Sequence, residues 1–446
     1  MATASTTSIS RGRGGNRGVL WLSGNGTFRR SPQRAFESDA AFEDADAVFF
    51  DADGDADQDL LVTSAGYELN ADDPRLAPRL YLNEKGAFKK VPFPAVGLNA
   101  AAAAAADVDK DGDLDIFLGS RATPGRFPES SGGVLLVNNG KAMFTDATAS
   151  QAPALRAAGM VTDAVFEDLG NDGFPDLIVT ADWMPVQVFV NNKGTFADAS
   201  EKWGTAGLHG CWNALHPADL DGDGDTDIVV GNMGTNWQWN ITSPDGLALY
   251  AADFDNLGRV VPVIALEEHG KQYPYASRDE LLDQIPSLKK KYPDYISYSK
   301  ATLPEMLSEE KLKAARGLAA SEYRTGILEN ANGKFIFHPL PVEAQFAPVH
   351  AIAVHDMDAD GKPDIVLGGN IKQTRVRMGK NDASLLQVFC NKGSLNFRYL
   401  PQYKSGFYVT GDVRDVAVLK MSGAQYLLGA VNNGPLVSYR FSGGGN

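Results

Sequence analysis

A nine-residue acidic phrase recurs five times along this chain, each time running into an apolar segment: 51–59 (DADGDADQD), 107–115 (DVDKDGDLD), 168–176 (DLGNDGFPD), 219–227 (DLDGDGDTD) and 356–364 (DMDADGKPD). Four of the five carry carboxylates at positions 1, 3, 5 and 9: Asp51, Asp53, Asp55 and Asp59; Asp107, Asp109, Asp111 and Asp115; Asp219, Asp221, Asp223 and Asp227; Asp356, Asp358, Asp360 and Asp364. Position 7, held by Asp57, Asp113, Asp225 or Lys362, offers a backbone carbonyl. Hard oxygen donors at alternate positions of a tight turn suit Ca²⁺, which takes about 6 to 8 of them. An EF-hand would add a glutamate at position 12 and continue as a helix. Here position 12 is Val62, Leu118, Val230 or Leu367, within β-branched and apolar runs, so the phrases join strands. One such phrase alone would read as a solvated Asx turn. Repetition in register points to metal.

Two phrases depart from the pattern. The one at 168–176 keeps Asp168, Asp172 and Asp176 but has Gly170 at position 3. A sixth, with Asp253, Asp255 and Gly258, has Val261 where the last carboxylate should stand and reads as vestigial.

The net charge of −15 follows largely from these phrases. The four full ones hold 19 aspartates, and four bound Ca²⁺ would leave about −7. No basic stripe remains to release phosphate counterions, which argues against nucleic acid as a partner. Cys211 and Cys390 are too few for a disulfide framework and read as small buried filler. No apolar run approaches the length of a membrane span. Weak, water-exposed calcium turns fill at extracellular concentrations, about 10⁻⁴ to 10⁻³ M, which implies an extracellular, cell-surface or periplasmic location. Residues 1–17 carry arginines without an apolar stretch behind them and read as a disordered segment, not a signal peptide. The expectation is that an export segment lies upstream of this chain.

A second phrase alternates with the first: an apolar strand, an Asn/Gly turn, then a strand opening on Phe. It occurs at 19–28, 80–88, 136–144, 188–196, 327–335 and 388–397. Asn and Gly supply the positive φ that a tight hairpin needs. Each unit is therefore two hairpins, and four-stranded units at a spacing of 56 to 61 residues predict a β-propeller over 18–446. Starts at 51, 107, 168, 219, 253, 356 and 412 suggest seven blades, alternatively six, because only 34 residues separate Asp219 from Asp253. The hairpin at 18–30 would complete the last blade. Ala100 to Ala106 has strong helix propensity but stands where the other units have an axial strand, so strand is expected. The pattern breaks at 267–322, where Ser277 with Glu280 and Thr302 with Glu305 read as capping boxes of a helical insertion.

The strings VFFDADGD (48–55), GMVTDA (159–164), DWMP (182–185), YASRDEL (275–281), QFAP (345–348) and SGFYVTGD (405–412) resemble bacterial FG-GAP/VCBS-repeat propeller proteins, often linked to an ASPIC/UnbV module. They are more distantly similar to cartilage acidic protein. The resemblance implies a secreted or surface-attached, calcium-bound propeller, commonly one part of a longer multidomain protein. No ASPIC/UnbV segment is recognisable.

In such a blade the acidic turns and the Asn/Gly turns share one face, and the longer connections emerge on the other. Those connections carry Arg121, Trp183, Trp237, Trp239, Arg375 and Arg377, residue types common in recognition hot spots. The expected function is binding or adhesion to an extracellular glycan or protein through that face. The alternative is a calcium-dependent polysaccharide lyase using His209, His216, Tyr273 and Arg278, although their spacing forms no catalytic motif.

Overall fold

The computed structural model describes residues 18–24, 27–238 and 246–441. The expected disordered segment 1–17 and Trp239 lie outside them. The described residues form mainly antiparallel sheets, and in the six that matter for the site the strands follow one another in chain order. The first sheet is Asp44–Phe50, Asp59–Ser64, Arg79–Glu84 and Ala87–Val91. The second opens on Ala100–Ala106 and Asp115–Ser120, and the third on Met160–Glu167 and Asp176–Pro185. The fourth opens on Ala214–Ala218 and Asp227–Gly231, and the fifth on Val349–His355 and Asp364–Gly369. The sixth is Val413–Met421, Ala424–Val431 and Leu436–Phe441.

Consecutive sheets stack face to face around an axis, the arrangement of a β-propeller. Leu61 packs with Ile116 and Leu118 between the first two, and Phe117 with Val161 and Val179 between the next. Ile178 meets Leu215 and Ile228, Val229 meets Ile352 and Ile365, and Val366 meets Val416 and Leu427. Each such side chain contributes about 1.5 to 3 kcal/mol on full burial. Sandwiching explains why every residue of 59–64, 115–120 and 364–369 is buried, unlike the alternation of a half-solvated strand. The sheets approach so closely that a Cβ on Gly119 would lie 2.3 Å from Val161, and one on Gly368 2.7 Å from Val413. Tertiary context also overrides helix propensity at Ala100–Ala106, which forms the axial strand of the second sheet.

The first strands of these six sheets line one axial cavity. The turn at Asp253 belongs elsewhere. It joins Leu247–Ala252 to Val261–Glu268 in a side sheet completed by Lys271–Pro274 and Arg316–Ala320. That side sheet is inserted between the second strand of the fourth sheet and its third, Gly326–Asn330, which explains the short spacing after Asp219. Counting Asp253 as a blade start therefore misassigned it, because its sheet contributes nothing to the cavity wall. The side sheet buries Val261, Val263 and Ala265 against Leu281, Leu282, Ile285, Leu303 and Met306 of helices inside the expected 267–322 span. Both expected capping boxes form. The strands of this subdomain begin twenty residues before the helical pattern does.

The N-terminal hairpin also departs from expectation. Among the described residues Leu20–Gly24 pairs with Thr27–Ser31, and the sixth sheet ends at Leu436–Phe441. Leu20 and Leu22 instead cover Phe36, Leu60, Tyr81 and Phe88 on the first sheet. Among the described residues the sixth sheet has three strands, and neither strand of the hairpin pairs with 436–441.

Candidate metal turns and the axial cavity

Each of the five acidic phrases links the first strand of a sheet to its second. Positions 4 and 6 of every turn are left-handed, from Asn171 at φ 51° to Gly112 at φ 98°. The position-1 carboxylate holds this shape by accepting from the amides it encloses: Asp219 Oδ1 from Gly222 (2.8 Å) and Oδ2 from Gly224 (3.2 Å), Asp356 Oδ1 from Asp360 (3.1 Å) and Oδ2 from Gly361 (3.0 Å). Asp253 binds the amides of Leu257 and Gly258 in the same way, so the side-sheet turn keeps the backbone form without the last carboxylate.

The position-9 aspartates, Asp59, Asp115, Asp176, Asp227 and Asp364, are buried. One oxygen of each accepts from the backbone amide of an Asn in the second repeated phrase, at 2.7 to 2.8 Å: Asn83, Asn138, Asn191, Asn330 and Asn391. In four of them the second oxygen accepts from the position-2 amide, that of Ala52, Val108, Leu220 or Met357. Burial pushes Asp59, Asp115, Asp176 and Asp227 up to about 6, against these amides. The Asn side chains then reach the preceding sheet's turn: Asn138 Nδ2 donates to the Ala52 carbonyl (2.9 Å), Asn191 Nδ2 to Val108 (2.8 Å) and Asn391 Nδ2 to Leu220 (2.7 Å). The sequence reading assigned these asparagines to turn geometry alone and missed the link between sheets.

Carboxylate oxygens cluster within 4.8 Å of one another in four turns: Asp51 with Asp53 and Asp59, Asp107 with Asp109 and Asp111, Asp219 with Asp221 and Asp227, and Asp356 with Asp358 and Asp360. Buried oxygens Asp53 Oδ1, Asp57 Oδ1 and Asp107 Oδ1 have no hydrogen-bond partner. Burial first, then repulsion from neighbouring carboxylates, raises Asp57 and Asp109. A divalent cation would relieve both costs, so the first two turns fit the ion on orphaned oxygens and the fourth on its oxygen cluster. The 168–176 turn, with Gly170, forms no such cluster among the described residues. The 356–364 turn differs. Lys362 Nζ lies 3.2 Å from Asp360, and Lys392 Nζ lies 3.1 Å from Asp358 and 3.9 Å from Asp360. Burial opposes it, yet the Lys362 amide and these ammonium groups hold Asp360 below the usual carboxylate range.

At the opposite end of the strands lies the axial cavity, of about 860 Å³. It is lined by strand starts, including Asp46, Thr162, His216, His350 and Asp415, and by connections bearing Tyr67, Arg121, Gln373 and Asn433. Five first strands carry a register shift near this end, at Asp44/Ala47, Ala100/Ala102, Val161/Asp163, Val349/Ala351 and Val413/Asp415. The skipped residues Ala45, Asp46, Ala101, Thr162, His350 and Arg414 all line the cavity. Asp46 Oδ2 accepts from Ala103 of the second sheet, and Asp163 Oδ2 from Leu215 of the fourth, each at 2.9 Å. Burial, then Asp46, pushes Asp163 up to about 7 against the Leu215 and Ala164 amides. The recurring string Val-x-Asp at 161–163 and 413–415 was the available signal for these residues.

Of the residues proposed for recognition, Arg121 lines the cavity and is paired to Asp182 at 2.6 Å. Trp183 is buried with Met160, Cys211 and Leu247, so it packs the core. Trp237 donates to the Met233 carbonyl at 2.7 Å. Arg375 is exposed. Arg377 fastens its loop to the insertion, donating to the Tyr275 carbonyl (2.6 Å), pairing with Glu280 (3.2 Å) and stacking 4.5 Å from the Tyr275 ring. Among His209, His216, Tyr273 and Arg278, only His216 lines the cavity.

Residues 168–230, from the third acidic turn through the second strand of the fourth sheet, match the family model for the FG-GAP-like repeat. No curated protein matches the chain. Among solved structures, Sqt1 of Saccharomyces cerevisiae is similar at a TM-score of 0.44 and 10% identity, over 99% of this chain and 97% of that one. YCF48 from Cyanidioschyzon merolae is similar at 0.41 and 8%, over 95% and 91%, and the V. cholerae biofilm matrix protein Bap1 at 0.36 and 10%, over 95% and 79%.

Proposed function

We propose that this chain is a calcium-stabilised propeller that binds an extracellular glycan or protein through the mouth of its axial cavity. Asp51, Asp53 and Asp59, Asp107, Asp109 and Asp111, and Asp219, Asp221 and Asp227 would hold the ions, which supply charge neutralisation at the turns and no chemistry. The location outside the cytoplasm follows from the calcium level such turns require.

The observation that carries the binding reading is the position of the cavity. It opens at the end of the disc away from the acidic turns, where the connections differ from sheet to sheet and present exposed Tyr67, Gln373 and Asn433 around a polar interior. A rigid scaffold with varied loops around a concavity is the usual form of a recognition site.

The test is a screen of glycans and extracellular proteins against the chain in calcium and in chelator, run beside lyase assays on acidic polysaccharides. Once a partner is found, Tyr67→Ala and Gln373→Ala should each weaken binding by about 1 kcal/mol or more, with melting unchanged. Unaltered affinity in both variants would move the site elsewhere. Product release from a polysaccharide would replace binding by catalysis.

A further inference from the structure

The five acidic turns share a backbone but not a charge balance. In the first, second and fourth, position 7 is Asp57, Asp113 or Asp225, and the residue after the stapling Asn is Glu84, Asn139 or Ala331. The fifth has Lys362 and Lys392 at those two places. Both ammonium groups turn inward onto the carboxylates that would bind an ion, Lys362 onto Asp360 and Lys392 across Asp358 and Asp360. Five aspartates without an ion-paired lysine therefore contrast with four aspartates and two lysines. The inner wall differs too: Cys390 Sγ lies within 4.8 Å of oxygens of Asp358 and Asp364. A thiol is a poor ligand for a hard cation.

We propose that Lys362 and Lys392 act as built-in counter-cations, so that the 356–364 turn is folded without a divalent ion while the turns at 51–59, 107–115 and 219–227 depend on one. The proposal rests on the calcium reading above. A divalent ion entering the fifth turn must displace two ammonium groups and meets about two net negative charges, instead of four in the second turn, where Lys110 is counted, and five in the first and fourth. Calcium affinity in such loops follows ligand charge. The fifth turn is thereby an ion-independent anchor between the fourth and sixth sheets, since Asn391 of its sheet also fastens the fourth sheet's turn at Leu220.

Amide hydrogen exchange tests this on the whole chain, using calcium chloride alone and then excess chelator. The probes are the position-6 amides that bond to the first aspartate: Ala56, Gly112, Gly224 and Gly361. Chelation should speed exchange at the first three by about tenfold or more and at Gly361 by less than about threefold. In Lys362→Gln/Lys392→Gln, Gly361 should join the responsive group. Equal loosening at Gly361 in the wild type, or an unchanged response in the double variant, overturns the proposal. If Ala56, Gly112 and Gly224 are indifferent to chelator, the calcium reading itself fails and the proposal falls with it.

Discussion

At one end of the disc the sheets are nearly interchangeable, whereas at the other each sheet is different. The turn end repeats one solution: a left-handed turn, a capping aspartate, a buried aspartate bound to an Asn amide and, at three seams, an Asn bridge to the preceding sheet. The cavity end spends the same strands on largely unlike residues, Asp46, Ala101, Thr162, His216, His350 and Arg414, one from each sheet. On the proposed function, recognition would thus lie at the end opposite the turns whose Asn side chains join the sheets. Uniformity at the turns gives the other end room to vary, because three seams are bridged at the turns by Asn side chains, while at the cavity end Asp46 and Asp163 each add a bond to the next sheet.

The strongest challenge to that division targets the buried position-9 carboxylates. Asp227→Ala would strand the buried amides of Asn330 and Leu220. The expected loss is about 2 to 5 kcal/mol in denaturant unfolding in chelator, and more in calcium, where an ion ligand is lost as well. A loss seen only in calcium would make Asp227 a ligand without a structural role.

A smaller effect sharpens the account of the seams. Asn391→Ala removes the donor shared by the Leu220 and Pro363 carbonyls and should cost about 1 to 3 kcal/mol, here independent of calcium. Unfolding at wild-type denaturant concentrations would mean that apolar packing alone joins the fourth and fifth sheets.

The smallest expected effect lies at the cavity end. Asp163 is raised to about 7 in the folded chain, by burial and then by Asp46, with Asp415 a lesser contributor. The folded state therefore binds this proton more tightly than the unfolded state, so stability present at low pH is lost as pH rises through about 7. In saturating calcium, which on the proposed function ties up the carboxylates of the 51–59, 107–115 and 219–227 turns, Tm should fall by about 2 °C between roughly pH 5 and pH 8, with Asp176, raised to about 6, as a second contributor. Asp163→Asn should flatten that slope. An equally steep profile in the variant would assign the titration to another group.

Much of the turn end was legible in the sequence, because its function is local. Spacing within nine residues sets the turn, and the Val, Ile and Leu runs that follow set the strands. Even the lysines of the fifth turn are visible as exceptions at 362 and 392. The cavity end was read poorly because its partners are distant in sequence: Asp46 meets Ala103, and Asp163 meets Leu215. Tryptophan and arginine on loops gave the wrong emphasis there, since Trp183 fills the core and Arg377 fastens the insertion. The side sheet shows a further limit. The Asp253 turn carries the local pattern of a blade start, but the neighbours of a strand decide which sheet it joins, and 247–252 pairs with 316–320.

Thermal unfolding of the wild type and Asp223→Ala, each in excess calcium and in excess chelator, tests the central claim most directly. Asp223 is exposed and its carboxylate accepts from the Asp225 amide two residues on, a local turn bond, so its removal should act through the ion. Chelation should lower the wild-type Tm, with each ion site contributing about 2.7 kcal/mol at a hundredfold excess over its Kd. The substitution should lower Tm in calcium and leave the chelated Tm unchanged. Identical wild-type melting in calcium and in chelator would contradict the account and leave the acidic phrases as ordinary Asx turns.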